Sequence, residues 1–299
     1  MVEVMPTGEA YSPCPKPPET DQFDRTNRAI ESVPRVRDYR APVAVTIDFS
    51  DRVVLVTGGT KGVGRGIAQR FADAGATVAV CARSIPAGLP STWATFAVDL
   101  RQPERIGELF AEIEKKFGRL DVLVNNAGGS PPADTAVSSP NFDQKIMAIN
   151  FFAAMWCAQA ANSIMQRQDE GGSIVNIGSV SAERPAPTVA AYGAAKAALA
   201  NFTRTAGQEW LPKVRTNLVT VGMVRTELAH LHYGDEEGVQ RTGARIPIGR
   251  LAVPEEIGDV CLFFASKLAG YVSGATLAVH GGGDWPPFLD TPFLDTGLR

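Results

Sequence analysis

From residue 49 onward the chain alternates two hydrophobic periods. Short apolar runs rich in Val and Ile mark strands near 53–57, 77–81, 95–98, 121–124, 173–177, 214–220 and 276–279. Between them, apolar residues recur at helical spacing and predict helices near 64–74, 103–117, 142–168, 191–210 and 254–266. A run such as Val53-Val54-Leu55-Val56 is apolar on both strand faces, as a strand is when helices cover both sides of a parallel sheet. The alternation predicts an α/β fold in a single domain: a doubly wound parallel sheet of about seven strands with helices on both faces. Between the second and third strands the usual crossover helix is not expected. Ser84 to Thr95 carries Pro86, Gly88 and Pro90 and predicts a loop.

The two ends follow neither period. Residues 1–46 predict a partly disordered N-terminal arm, with Pro6, Pro13, Pro15, Pro17 and Pro18 followed by a run of scattered arginines. Residues 47–285 form the expected folded domain. Residues 286–299 form a tail that repeats Phe288-Leu289-Asp290-Thr291 as Phe293-Leu294-Asp295-Thr296. The formal net charge of −3 gives no basic footprint and argues against a nucleic-acid partner. Cys14, Cys81, Cys157 and Cys261 are scattered, and three lie in apolar patterns, so they read as small core residues of a reducing compartment. His230, His232 and His280 form no metal set with nearby Cys or carboxylates, and no metal is expected. The N-terminus lacks a basic region followed by an apolar run, and the most apolar stretch, Ile146 to Ala161, is too short to span a membrane. A cytoplasmic protein with no membrane partner is the expectation.

Two local patterns carry chemistry. Thr57-Gly58-Gly59-Thr60-Lys61-Gly62-Val63-Gly64 lies between the first strand and the first helix. There, backbone N–H groups at a helix N-terminus can cradle a pyrophosphate, and this makes the predicted sheet Rossmann-like. Tyr192 and Lys196, in Ala190-Ala191-Tyr192-Gly193-Ala194-Ala195-Lys196, are four apart in a helical stretch and share a face. A phenol with pKa about 10 is a poor proton donor at neutral pH. An ammonium about 4 Å away favours the phenolate by roughly 4 kcal/mol at an effective dielectric near 20. The spacing predicts a general acid/base.

With Asn125-Asn126-Ala127-Gly128 after an apolar strand, Asn150 in a long helix and Ser179 thirteen residues before Tyr192, these motifs fall in the order of a known family. From about Phe49 to Gly283 the sequence resembles the short-chain dehydrogenases/reductases. The resemblance implies catalytic roles for Asn150, Ser179, Tyr192 and Lys196. Tyr192 would exchange the proton on a substrate oxygen. Lys196 would lower its pKa and hold the nicotinamide ribose, Ser179 would hydrogen-bond the same oxygen, and Asn150 would hold water for a proton relay near Lys196. The implied dinucleotide site takes Gly58, Thr60, Lys61, Gly62, Val63 and Gly64 from the loop, Arg83 and Ser84 after the second strand, and Asp99 and Leu100 after the third. Asp99 would contact the adenine ring. Asn126, Ala127 and Gly128 follow, then Tyr192 and Lys196 again, and Gly222, Val224 and Thr226 near the nicotinamide.

Cofactor choice follows from charge. NAD sites place a carboxylate at the end of the second strand to bind ribose hydroxyls. Here no acid lies between Asp73 and Asp99, the expected position is Ala82, and Arg83 follows it, with Lys61 in the loop. Two cations and no anion suit a 2′-phosphate. NADP(H) is the expected cofactor, with NAD(H) the alternative.

The function expected is hydride transfer between NADP(H) and a carbonyl or secondary alcohol. Two alternatives are a related epimerase or dehydratase and a non-catalytic nucleotide-binding protein. Two departures from the family pattern stand out: Val221 where a Pro is usual before Gly222, which leaves that loop less restrained, and His280 where an Asp is usual. Arg225 to Pro247 is expected to form the substrate lid, with Ser181 to Val189 opposite. The predicted 142–168 helix is apolar over most of its circumference, through Ile146, Met147, Ile149, Phe151, Phe152, Met155, Trp156 and Cys157. A sheet can cover only one side of such a helix, which predicts a homotetramer or homodimer.

Overall fold

The structure, a computed structural model, describes residues 46–284. Cys14, the arm up to residue 45 and the repeated tail lie outside them. Seven strands form a parallel sheet in the order β3-β2-β1-β4-β5-β6-β7. They are β1 (Val53–Thr57), β2 (Thr77–Ala82), β3 (Ala94–Ala97), β4 (Val122–Asn125), β5 (Gly172–Ile177), β6 (Val214–Val221) and β7 (Thr276–Val279). The strands read from the pattern lie within about one residue of these limits, because a buried run bounded by turn residues leaves little choice.

The alternation of β1 decides where the core sits. Val54 and Val56 join one apolar cluster with α1 (Gly62–Asp73) and α8 (Pro254–Ala265), through Ile67, Phe71, Ile257 and Phe264. Val53 and Leu55 face the opposite cluster, built on α2 (Pro103–Phe117) and α4 (Ala153–Met165) through Ile106, Phe110, Ile113, Cys157 and Met165. Successive strand residues point to opposite faces, so one strand feeds both layers. Cys81, Cys157 and Cys261 are buried and unpaired, as their apolar context requires. Segment 84–93 contains no helix. It turns at Gly88 (φ 81°) and drops Trp93 into the core.

The long predicted helix is interrupted. α3 (Pro140–Met147) starts at Ser139, whose hydroxyl accepts the Phe142 N–H at 3.2 Å. A π-helical turn over Ala148–Phe152 follows, and then α4, which ends at Met165. Periodicity could not show the π turn, because one extra residue in a turn leaves an apolar stretch apolar. After α5 (Ala190–Glu209) the lid region holds two short helices the pattern did not reveal, α6 (His230–Tyr233) and α7 (Glu236–Gly243). Asp235 caps α7 by accepting the Gly238 N–H at 2.9 Å. Among the described residues no helix is long and apolar enough to cross a membrane, and no group of three His, Cys, Asp or Glu could hold a metal ion.

Candidate active site

The strand order reverses between β1 and β4, and in open α/β sheets a crevice forms outside the strand ends at that point. A cleft of about 750 Å³ lies there. Its floor is the Gly58–Gly64 loop. Thr57, at the tip of β1, accepts the backbone N–H groups of Asn126 and Ala127 on one hydroxyl, each at 3.0 Å. Asn126 returns its amide to the Thr57 carbonyl at 3.0 Å. These bonds draw the two loops together until no side chain fits between them. A Cβ on Gly64 would stand 2.4 Å from the Gly58 carbonyl oxygen, and one on Gly58, at φ 64°, only 3.1 Å from the Ala127 Cα. Thr57 opens the glycine motif in the sequence, but its spacing there does not reveal this bridging role. Lys61 opens α1 without a side-chain cap, and no acid lies in its first turn. The N–H groups there face the cleft with the positive end of the helix behind them.

Lys61, Ala82, Arg83, Leu100 and Arg101 also line the cleft. Ser84 and Asp99 do not. Arg101 binds the Asp99 carboxylate through Nε at 2.9 Å and Nη2 at 2.5 Å. The adjacent guanidinium holds the Asp99 carboxyl below the usual range despite partial burial. Ser84 is exposed outside the cleft, because the chain turns away after Arg83 into the 84–93 loop. Arg101 was missed; its signal was a cation two residues after the acid that follows the third strand.

The remaining candidates in the cleft converge from α5 and the segments that follow β4, β5 and β6. Ser179 follows β5 and accepts the Ser181 N–H at 3.2 Å. Tyr192 and Lys196 lie on α5, with the Lys196 Nζ 5.7 Å from the centre of the Tyr192 ring. Ser179, Tyr192 and Lys196 all line the cleft, as do Gly128, Gly222, Val224 and Thr226. Burial pushes the Tyr192 phenol up, and a hydrogen bond with the Ser179 side chain opposes it. Burial also pushes the Lys196 ammonium down to about 8, while it donates to the Ile177 carbonyl at 2.8 Å. Desolvation acts on both groups, and the ammonium is held on a backbone carbonyl.

Asn150, fully buried in the π turn, sits behind the cleft wall. Its amide donates to the carbonyls of Ile146 and Gly129 at 2.9 Å, and its oxygen accepts the Gly129 N–H at 2.8 Å. The side chain is a clamp on the Gly128-Gly129 loop. A Cβ on Gly128 would meet the Asn150 Oδ1 at 2.5 Å and the Lys196 Nζ at 3.4 Å. A second buried chain backs the site: Asn125 donates to Asn176 and Asn176 to Thr203, each at 2.9 Å. No local spacing brings these three together; they meet only in the fold.

Val221 leaves its loop without a proline ring, but the loop is restrained by other means. Val224 forms a parallel bridge with Ala252, with Arg225 N–H to Ala252 carbonyl at 2.8 Å and Ala252 N–H to Met223 carbonyl at 3.0 Å. Gly222 packs so closely on His280 that a Cβ would stand 2.7 Å from the His280 Cβ.

A family model described as enoyl-(acyl carrier protein) reductase matches residues 58–283. The chain belongs to the short-chain dehydrogenase/reductase family. It is 34% identical to an uncharacterized oxidoreductase of Mycobacterium tuberculosis (strain CDC 1551 / Oshkosh), over 83% of this chain and 97% of the relative. It is 35% identical to the 3-oxoacyl-[acyl-carrier-protein] reductase MabA of Mycobacterium bovis, over 78% of this chain and 93% of that one. The ligand-free structure of Thermoplasma acidophilum aldohexose dehydrogenase superposes with a TM-score of 0.75 at 29% identity, covering 83% of this chain and 98% of that one. The protein is thus an oxidoreductase of this family, whose members use a nicotinamide cofactor.

Proposed function

We propose that the protein transfers hydride between NADP(H) and a carbonyl or secondary alcohol, with Tyr192 as general acid/base. The observation that carries this reading is the opening of Tyr192, Ser179 and Lys196 onto the same cleft as the glycine cradle. The cradle fits a dinucleotide: Gly58 and Gly64 leave no room for a Cβ, and the first turn of α1 presents N–H groups without an acid. When bound, the cofactor supplies or accepts the hydride. In the reductive direction the Tyr192 hydroxyl gives its proton to the substrate oxygen while Ser179 holds that oxygen. Lys196 steadies the charge left on the phenol and, with Gly222, Val224 and Thr226, the nicotinamide end. Asn150 positions the Gly128-Gly129 loop and through it the cleft wall.

The preference for NADP(H) rests on Arg83 and Lys61 at a cleft wall where β2 ends without a carboxylate. The aldohexose and 3-oxoacyl names of two similar proteins share carbonyl/alcohol chemistry, which supports that substrate class without narrowing it. The experiment is a panel of ketones and secondary alcohols with NADPH, NADP⁺, NADH and NAD⁺, followed by cofactor absorbance. Turnover with NADP(H) is expected. Tight cofactor binding without turnover across the panel favours the epimerase/dehydratase or non-catalytic readings instead.

We further propose a cytoplasmic homotetramer or homodimer. Phe152 and Trp156 stack at 5.5 Å beside α4 with Phe152 still 37% exposed, an aromatic pair that a second copy would cover.

A further inference from the structure

Helix α1 has an unusual partner. Its N-cap, Lys61, offers no side-chain acceptor and its first turn holds no acid. Such N–H groups need a partner from elsewhere. The Gly62 N–H has one: the Glu227 Oε1 accepts it at 2.9 Å, across 165 residues of sequence. Glu227 is exposed, lies between β6 and α6, and lines the dinucleotide cleft together with Gly62. Its neighbour Thr226 leans on the same spot, since the Thr226 Cγ2 would be the nearest atom, at 3.7 Å, to a Cβ on Gly62. Thr226 also organises the segment that follows. Its hydroxyl accepts the Leu228 N–H at 3.3 Å and its carbonyl the Ala229 N–H at 3.0 Å.

We infer that Glu227 is a built-in surrogate for the cofactor's pyrophosphate, a carboxylate that occupies the anion place at the start of α1 and that an entering dinucleotide displaces. The inference rests on the dinucleotide reading above and goes beyond it. One N–H cannot serve two anions, and a diphosphate brought beside an undisplaced carboxylate adds repulsion at short range. The place suits either anion for the same reason, the positive end of α1. Release of Glu227 unpins Thr226 and the lid helices α6 and α7 beyond it. Cofactor entry thereby changes the side of the cleft on which the substrate must sit.

The test uses the full chain and two variants, Glu227→Ala and Glu227→Gln, at an exposed site where neither should disturb folding. Hydrogen exchange of residues 226–243 is followed without ligand and with inorganic pyrophosphate, and NADPH affinity is titrated. Glu227→Ala should bind NADPH about three- to tenfold tighter, a change of under about 1.4 kcal/mol. Glu227→Gln should fall between, since its amide oxygen still accepts the N–H but without charge. In the ligand-free state Glu227→Ala should exchange faster over 226–243, and pyrophosphate should speed exchange in the wild type but not in Glu227→Ala. Unchanged exchange in Glu227→Ala, or NADPH affinity that is unchanged or weaker, overturns the inference. If the wild type binds no dinucleotide yet shows both exchange effects, the surrogate anion stands and the dinucleotide reading fails.

Discussion

Gly64 and Asn126 approach so closely that a Cβ on Gly64 would lie 2.4 Å from the Asn126 amide nitrogen. The same Cβ would lie 2.4 Å from the Gly58 carbonyl oxygen, which cannot swing aside. Gly64→Ala should therefore cost about 1–3 kcal/mol of stability, the usual penalty of overpacking, and weaken dinucleotide binding by more than tenfold. Trimming the movable neighbour should not rescue it: Gly64→Ala with Asn126→Ala should remain defective. Thermal melts and cofactor titration check both, and full recovery in the double variant would show that the Gly58 carbonyl is not the obstacle.

Tyr192→Phe should lower turnover by roughly 10²–10⁴-fold, the range for general acid/base work, with cofactor affinity little changed. The phenol ring fills the same space, and only the oxygen that meets Ser179 is lost. Retention of more than about a tenth of the wild-type rate is incompatible with the assigned role.

At the adenine end, Arg83→Ala should weaken NADPH far more than NADH, by about 1.5–3 kcal/mol for one charge-assisted contact. Arg101→Ala should act in the same direction by a different route. It releases the Asp99 carboxylate, now bound at 2.5–3.1 Å, beside Arg83. Equal losses for both cofactors in Arg83→Ala rule out a 2′-phosphate at this wall.

Lys196 makes stability depend on pH. Burial holds its ammonium at about 8 in the folded chain, against an ordinary 10.5. Between those values the unfolded chain carries the proton and the folded chain does not. The unfolded state then binds more protons, so stability rises with pH across that window. Tyr192 opposes this above pH 10, where its raised phenol keeps a proton that the unfolded chain loses. Denaturant unfolding of the wild type and Lys196→Met should show the rise in the first and its loss in the second. Parallel curves would mean that burial does not depress this ammonium.

Light scattering on the full chain and on a chain lacking residues 1–46 tests the assembly. Both should be oligomeric if the Phe152–Trp156 face meets a second copy. A monomeric full chain that associates only after truncation would mean that the arm covers that face.

The strands were legible because β1, β2 and β4 are buried runs with turn residues at each end, a signal that survives without tertiary knowledge. The cleft was legible because glycines and the Tyr192–Lys196 pair are local patterns. What escaped was long-range. Thr57 meeting Asn126, Asn125 meeting Asn176, and Gly62 meeting Glu227 span 69, 51 and 165 residues. No period in the sequence encodes such pairings. The Asp99–Arg101 pair escaped for the opposite reason: the two lie only two residues apart, and their pairing depends on rotamer, not spacing.

The π turn at Ala148–Phe152 sets the angular phase of everything after it. Each residue of a regular helix advances the azimuth by about 100° (3.6 per turn). Losing one residue from the turn would wind α3 and α4 into one continuous rod. It would then rotate Cys157, Ala161 and Met165 off the sheet, or carry Asn150 off the Gly129 backbone. Length is therefore more tightly constrained here than residue type, and a single-codon deletion would do more harm than many replacements of the same side chains.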